Sequence, residues 1–118
     1  MLIITIVFYK NSNNKEPVKD FLNTLENDSK KKVGAKIIVV SEMLKNHQKI
    51  SKELFKKIDD DIWEIRVNNI RIFVLLYDGN MYLLHAIIKK RNDIPKKDLS
   101  LANERAKEIK SYIDENKK

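Results

Sequence analysis

The chain contains no cysteine, two glycines, two prolines and two histidines among its 118 residues. Without cysteine there are no disulfides and no thiolate metal ligands, which suits a reducing compartment. His47 and His85 alone cannot assemble a zinc site. With glycine reduced to Gly34 and Gly79, there is no phosphate-cradling glycine loop. Long hydrophobic runs are missing too. The apolar opening "MLIITIVFYK" is too short to span a bilayer, and it lacks the basic lead-in and small-residue cleavage site of a signal peptide. It reads as a buried strand. The expectation is a cytoplasmic chain with no membrane partner, no metal and no cofactor.

What is present is a globular balance of 42% apolar and 35% charged residues, enough for one core and a single domain over 1–118. The net charge of +7 favours a polyanionic partner: RNA, DNA or an acidic protein.

After the first strand, "NSNNKEP" is a polar break. Pro17 suits the first turn of a helix and a preceding asparagine can cap it. Val18, Phe21, Leu22 and Leu25 follow helical spacing. A second helix opens near Asp28 or Ser29, with Val33, Ile37, Val40 and Leu44 as its buried stripe. From Leu54 onward the pattern changes to strands: "ELFKKI", "IWEIRV", "IRIFVLLY" and "MYLLHAIIKK", linked by "DDD", "NN" and "DGN". The adjacent aspartates of "DDD" point different ways and read as a turn rather than a metal site. A last helix has Asn92 or Asp93 as cap, Pro95 in its first turn, and Leu99, Ala102, Ala106, Ile109 and Ile113 on one face. The expected fold class is α+β: an antiparallel meander with two N-terminal helices on one face and a C-terminal helix, the helices all lying against that same face.

Two arginines flank Asn68-Asn69. If the asparagines form a two-residue turn, Arg66 pairs with Arg71 and Glu64 with Phe73. Trp63, Ile65, Val67, Ile70, Ile72, Val74 and Leu76 then share one apolar face. Ile62, Glu64, Arg66, Arg71, Phe73, Leu75 and Tyr77 share the other. Two like charges roughly 5 Å apart at an effective dielectric of about 20 repel by about 3 kcal/mol. A favourable cross-strand pair contributes only about 0.2–1 kcal/mol. A negative group must answer the repulsion, in part Glu64 and in part a bound phosphate. A three-residue "DGN" loop would pair Phe73 with His85 and bring His85 and Lys89 to the arginine face, with Leu84, Ala86 and Ile88 in the core. A two-residue turn would bury Lys89 and is disfavoured. Lys56 flanks the site, and Lys57 points to the opposite side if its strand is regular. An arginine sealed into the interior by a carboxylate would leave no cradle for an RNA backbone, and a nuclease built on the two arginines would then have to be given up.

"EPVKDFL", "KKIDDDIWEIRV", "IRIFVLLY", "YLLHAIIKKRNDIPKKDLSLA" and the closing helix together resemble the RelE/ParE toxin superfamily, and within it the HigB-like, phage-derived branch. The resemblance covers nearly the whole chain. It implies a metal-independent endoribonuclease that inhibits translation by cutting mRNA in the ribosomal A site, beside the small-subunit rRNA. A cognate antitoxin, acidic or of the helix-turn-helix HigA type, would neutralise it. Carried over by position, Arg66 and Arg71 match residues that hold the scissile phosphate, and one of Lys89, Lys90 or Arg91 matches a basic residue after the last strand. Glu64 stands where RelE-type members have lysine. Glu64 or His85 is the candidate base for attack by the ribose 2′-OH, while Lys56, Lys57, Lys90, Arg91 and Phe73 are candidate RNA contacts. The family's catalytic aromatic or histidine near the C-terminus has no clear counterpart. On this reading Arg71→Ala abolishes cleavage and spares the fold. The alternatives are a ParE-like gyrase inhibitor and a non-catalytic, phage-derived binding module.

Overall fold

The computed structural model describes residues 4–90 and 94–117. In chain order the elements are β1 (Thr5–Phe8), α1 (Pro17–Asn23), α2 (Asn27–Lys45), β2 (Phe55–Asp59), β3 (Ile62–Val67), β4 (Ile70–Tyr77), β5 (Asn80–Ile88) and α3 (Lys96–Asn116). They form an α+β fold around one five-stranded sheet of order β1-β5-β4-β3-β2.

The meander of β2 to β5 is antiparallel, as the turn residues predict. β1 departs from that expectation, because it joins β5 in parallel and makes the sheet mixed. The helices α1 and α2 carry the chain across the sheet before β2 begins, which leaves β1 at the far edge. As an edge strand it is only half-buried, not the buried strand its composition suggests. Local capping also differs. Pro17 opens α1, but Glu16 holds the cap position without a side-chain bond. Asn11 instead accepts from the backbone N–H groups of Asn13 and Lys15 at 2.9 and 3.0 Å, tying the preceding turn. α2 opens at Asn27, slightly before the expected start. Of the expected α3 caps, Asn92 and Asp93 lie outside the described residues. Pro95 itself occupies the cap position, so the helix starts at Lys96.

The apolar face of the β3–β4 hairpin packs as predicted. Ile65, Val67, Ile70, Ile72 and Val74 meet Val18 and Leu22 of α1 and Val33, Ile37 and Val40 of α2. Trp63 stacks on Phe55 at 4.7 Å between centroids. The opposite face is not left open. α3 packs across it, with Ala102 and Ala106 against Ile62, Phe73, Leu75 and Leu84. This corrects the expectation that all helices share one side. Phe73 and Leu75 are apolar enough that leaving them wet would forgo about 1.5–3 kcal/mol each. Small alanines let the helix come close enough to cover them.

The β4–β5 connection is a second correction. Asp78 and Gly79 form a two-residue turn between Tyr77 and Asn80, both with positive φ (53° and 76°). Asp-Gly suits that mirror-image turn, so the three-residue loop is not used. The extra residue enters inside the strand: the register shifts between Phe73 and Val74, leaving Leu84 as a bulge. Phe73 still pairs with His85, and Leu84 joins it beneath α3 rather than entering the α1/α2 core. Ala86 does face that core, whereas Ile88, opposite Ile70, is left exposed.

The fit of α3 is tight enough to test. Ala102 is fully buried against the sheet, so Ala102→Leu should destabilise the protein by about 1–3 kcal/mol through overpacking, read as a lower urea midpoint.

Candidate nucleic-acid interface

The Asn68-Asn69 turn forms as expected, with Asn68 in the left-handed region at φ 54°. It puts Arg66 opposite Arg71 and both on the Glu64 face. The Glu64 Oε1 atom lies 3.3 Å from Arg66 Nε and 3.7 Å from Arg71 Nε. Neither approach has hydrogen-bond geometry: Glu64 Oε2 and both arginine Nε atoms are buried with no hydrogen-bond partner among the described residues. The attraction is therefore one of charge rather than of directed bonds.

The two arginines are not equivalent. The Arg66 side chain is 30% exposed, whereas those of Arg71 and Glu64 are 8% and 4% exposed. Arg71 Nη1 donates to the carbonyls of Asn68 (2.7 Å) and Ile70 (3.0 Å), so its head group clamps the turn. Burial pushes the Arg71 guanidinium below its ordinary pKa, and the Arg66 charge pushes the same way. Glu64 opposes both. The expected cradle of two open guanidiniums is thus corrected. Arg71 is sealed in by a carboxylate, and Arg66 alone of the pair reaches solvent. Desolvating a charge costs several kcal/mol unless it is paired, and Glu64 is the group on this face that pairs it. The expectation that Arg71→Ala would spare the fold falls with it.

The remaining candidates separate by register. Lys56, Glu64, Phe73 and His85 stand in one row across β2 to β5, with Lys56 exposed at its end. Lys57 pairs with Trp63 on the other face and does not join them. Phe73 is fully buried, so it cannot stack on a base as expected of an RNA contact. The Lys89 N–H donates to the Asn69 carbonyl, which sets Lys89 beside the arginine turn. Lys90 is exposed just beyond it. Arg91 lies outside the described residues.

His85 stacks on Phe73 at 5.9 Å, and its Nε2 sits 2.7 Å from Asp98 Oδ1 on α3. Its Nδ1 is 3.5 Å from Nη1 of Arg105, which donates to the Leu84 carbonyl at 2.7 Å, and the Arg105 Cζ lies 5.0 Å from the Tyr9 ring centroid. The Tyr9 hydroxyl donates to Glu108 at 2.7 Å. Asp98 and Arg105 were not among the sequence candidates. The available signal was spacing: both fall on the inward stripe of α3 defined by Ala102, Ala106 and Ile109. Their polar partners are on β5 and just past β1, which periodicity cannot reveal.

Among the described residues no group of histidines and carboxylates could hold a metal ion, and no helix is long and apolar enough to cross a membrane. The described residues thus form a small basic α+β domain in which Arg66 reaches solvent over a buried carboxylate. Residues 20–107 match the family described as phage derived protein Gp49-like (DUF891), so the chain belongs to that family of phage-derived, RelE/toxin-like proteins. No curated protein matches it.

Two outcomes test this geometry. Glu64→Gln leaves Arg71 buried beside Arg66 with no countercharge and should cost about 3–5 kcal/mol, whereas Arg66→Ala should change stability by less than about 1 kcal/mol. Chemical denaturation of the two variants separates them. Tyr9 is the second case: burial first, then its bond to Glu108, raises its pKa above the usual 10.0. A raised folded-state pKa means the contribution is intact below pH 10 and is lost as pH rises through the folded value. Thermal melts should therefore fall more steeply above pH 10 for the native chain than for Tyr9→Phe.

Proposed function

We propose that this chain is the toxin of a toxin–antitoxin system and inhibits translation by cutting ribosome-bound mRNA. The observation that carries the reading is the pairing of its toxin-like family with Arg66, a guanidinium held by a buried carboxylate at a basic edge of the sheet. Attack by a ribose 2′-OH on its own 3′-phosphate forms the O2′–P bond as the P–O5′ bond breaks, giving a 2′,3′-cyclic phosphate and a 5′-hydroxyl. Water takes the 2′-OH proton and returns one to the leaving 5′-oxygen, and negative charge crowds onto the phosphate meanwhile. Fixed positive charge at that point lowers the barrier. With Arg71 sealed, the two-arginine cradle is given up; in its place Arg66 alone supplies the charge, with Lys56 and Lys89 beside it, and Arg71 with Glu64 acts beneath as the support that positions Arg66. The two groups considered for proton transfer are both engaged, Glu64 by the arginines and His85 by Asp98. Orientation by the ribosome carries the remaining burden. The neutralising partner is an antitoxin with an acidic or helix-turn-helix character, and the site of action is the cytoplasm.

A second reading has its own support. The sealing of Arg71 and Glu64 and the pinning of His85 favour a non-catalytic module whose basic surface only binds an acidic partner. Induced expression separates the readings. The toxin arrests growth, and primer extension on translated transcripts shows codon-linked cuts. Arg66→Ala lowers cutting by about a hundredfold, the scale for loss of one preorganised transition-state contact, with the fold kept. Growth without cleaved transcripts would favour the binding module. Arrest with altered DNA supercoiling and intact mRNA would indicate gyrase inhibition.

A further inference from the structure

A groove of about 530 Å³ runs between α2 and the end of β3, lined by Lys32 and Lys36 from the helix and by Arg66 from the strand, with Leu54 and Val67 among its apolar lining and Glu53 as its one acidic group. Lys32 and Lys36 are four residues apart on one helix, so they stand one turn apart on the same side, about 6 Å along the axis. Both are exposed, and neither forms an ion pair among the described residues. Pairing of β2 with β3 ends at Phe55 opposite Ile65, and beyond it the side of Arg66 away from β4 is flanked by the 51–54 turn, with its N–H on the Leu54 carbonyl at 2.8 Å and its Nη1 on the Lys52 carbonyl at 3.4 Å. Arg66 therefore stands at the sheet edge, where it belongs both to the Glu64 face and to this groove.

Three positive groups against one negative leave the groove at +2, and its lining includes apolar side chains. That combination suits a single-stranded nucleic acid: cations track successive phosphates, and an apolar surface accepts ribose and base faces. An acidic peptide would use the cations but would have less use for the apolar lining. We infer that the groove formed by Lys32, Lys36 and Arg66 is the track along which a single-stranded RNA approaches Arg66, with Lys32 and Lys36 on consecutive phosphates. For its ligand the inference rests on the proposed action on RNA, and it adds a binding site on α2, away from the Glu64 face.

The experiment measures binding of a fluorescein-labelled 12-nucleotide RNA by anisotropy across a salt series. Each phosphate contact to a single strand contributes about 0.7 to the slope of log K against log salt. Lys32→Ala with Lys36→Ala should flatten the slope by about 1.4, while Lys97→Ala with Lys107→Ala, an equal loss of charge on α3, should leave it nearly unchanged. An unchanged slope in the first pair, or an equal flattening in both, overturns the inference. So does groove-dependent binding of a polyglutamate peptide without binding of RNA. The same variants are assayed for mRNA cutting. Normal cutting and normal RNA binding by the α2 variant would overturn the groove and leave the proposed function standing. Lysine-dependent RNA binding by a native chain that cuts nothing would support the groove and overturn the function.

Discussion

One carboxylate organises the candidate site of this protein. Glu64 is buried within 4 Å of two guanidiniums, on the face whose centre α3 covers. Two positive charges and one negative leave the trio with one net positive charge. The protein directs that charge outward by burying Arg71 and leaving Arg66 at the edge. Without Glu64 the hairpin would hold two repelling cations, one of them desolvated, and the Asn68-Asn69 turn that Arg71 clamps would lose its reason to be tight. The same contact thus serves the fold and the candidate site.

α3 explains why the site is at an edge. By laying Ala102 and Ala106 over Phe73, Leu75 and Leu84, the helix converts the centre of this sheet face into a second core. It then fastens itself with polar contacts, Asp98 to His85, Arg105 to the Leu84 carbonyl, and Glu108 to Tyr9. On this face of the sheet Arg66 and Lys56 reach solvent at the margin, with Lys89 and Lys90 just past the end of β5. Recognition of a long, flexible polyanion is compatible with such an edge, because the phosphates are spread along the ligand and need no deep pocket.

Much of the fold could be read from local pattern, and the failures share a cause. The α1 and α2 stripes, the meander turns and the apolar hairpin face all follow from periodicity or turn chemistry, which act within a few residues. The β1 partner, the second core under α3 and the bulge at Leu84 depend on elements far apart in sequence. The Asp78-Gly79 turn shows the contest plainly: local turn preference and the cost of burying Lys89 pulled the register in opposite directions, and one bulged residue met both.

Sequence alone determined that Arg66 and Arg71 face each other beside Glu64, because a two-residue turn and strand alternation leave no other arrangement. Only the tertiary structure decided which arginine is available, since exposure depends on what packs above and beside the strand. β2 stops short of Arg66, and the carbonyls of the turn draw Arg71 inward. Charge can be counted along a chain, but whether it meets water is settled by its neighbours in space.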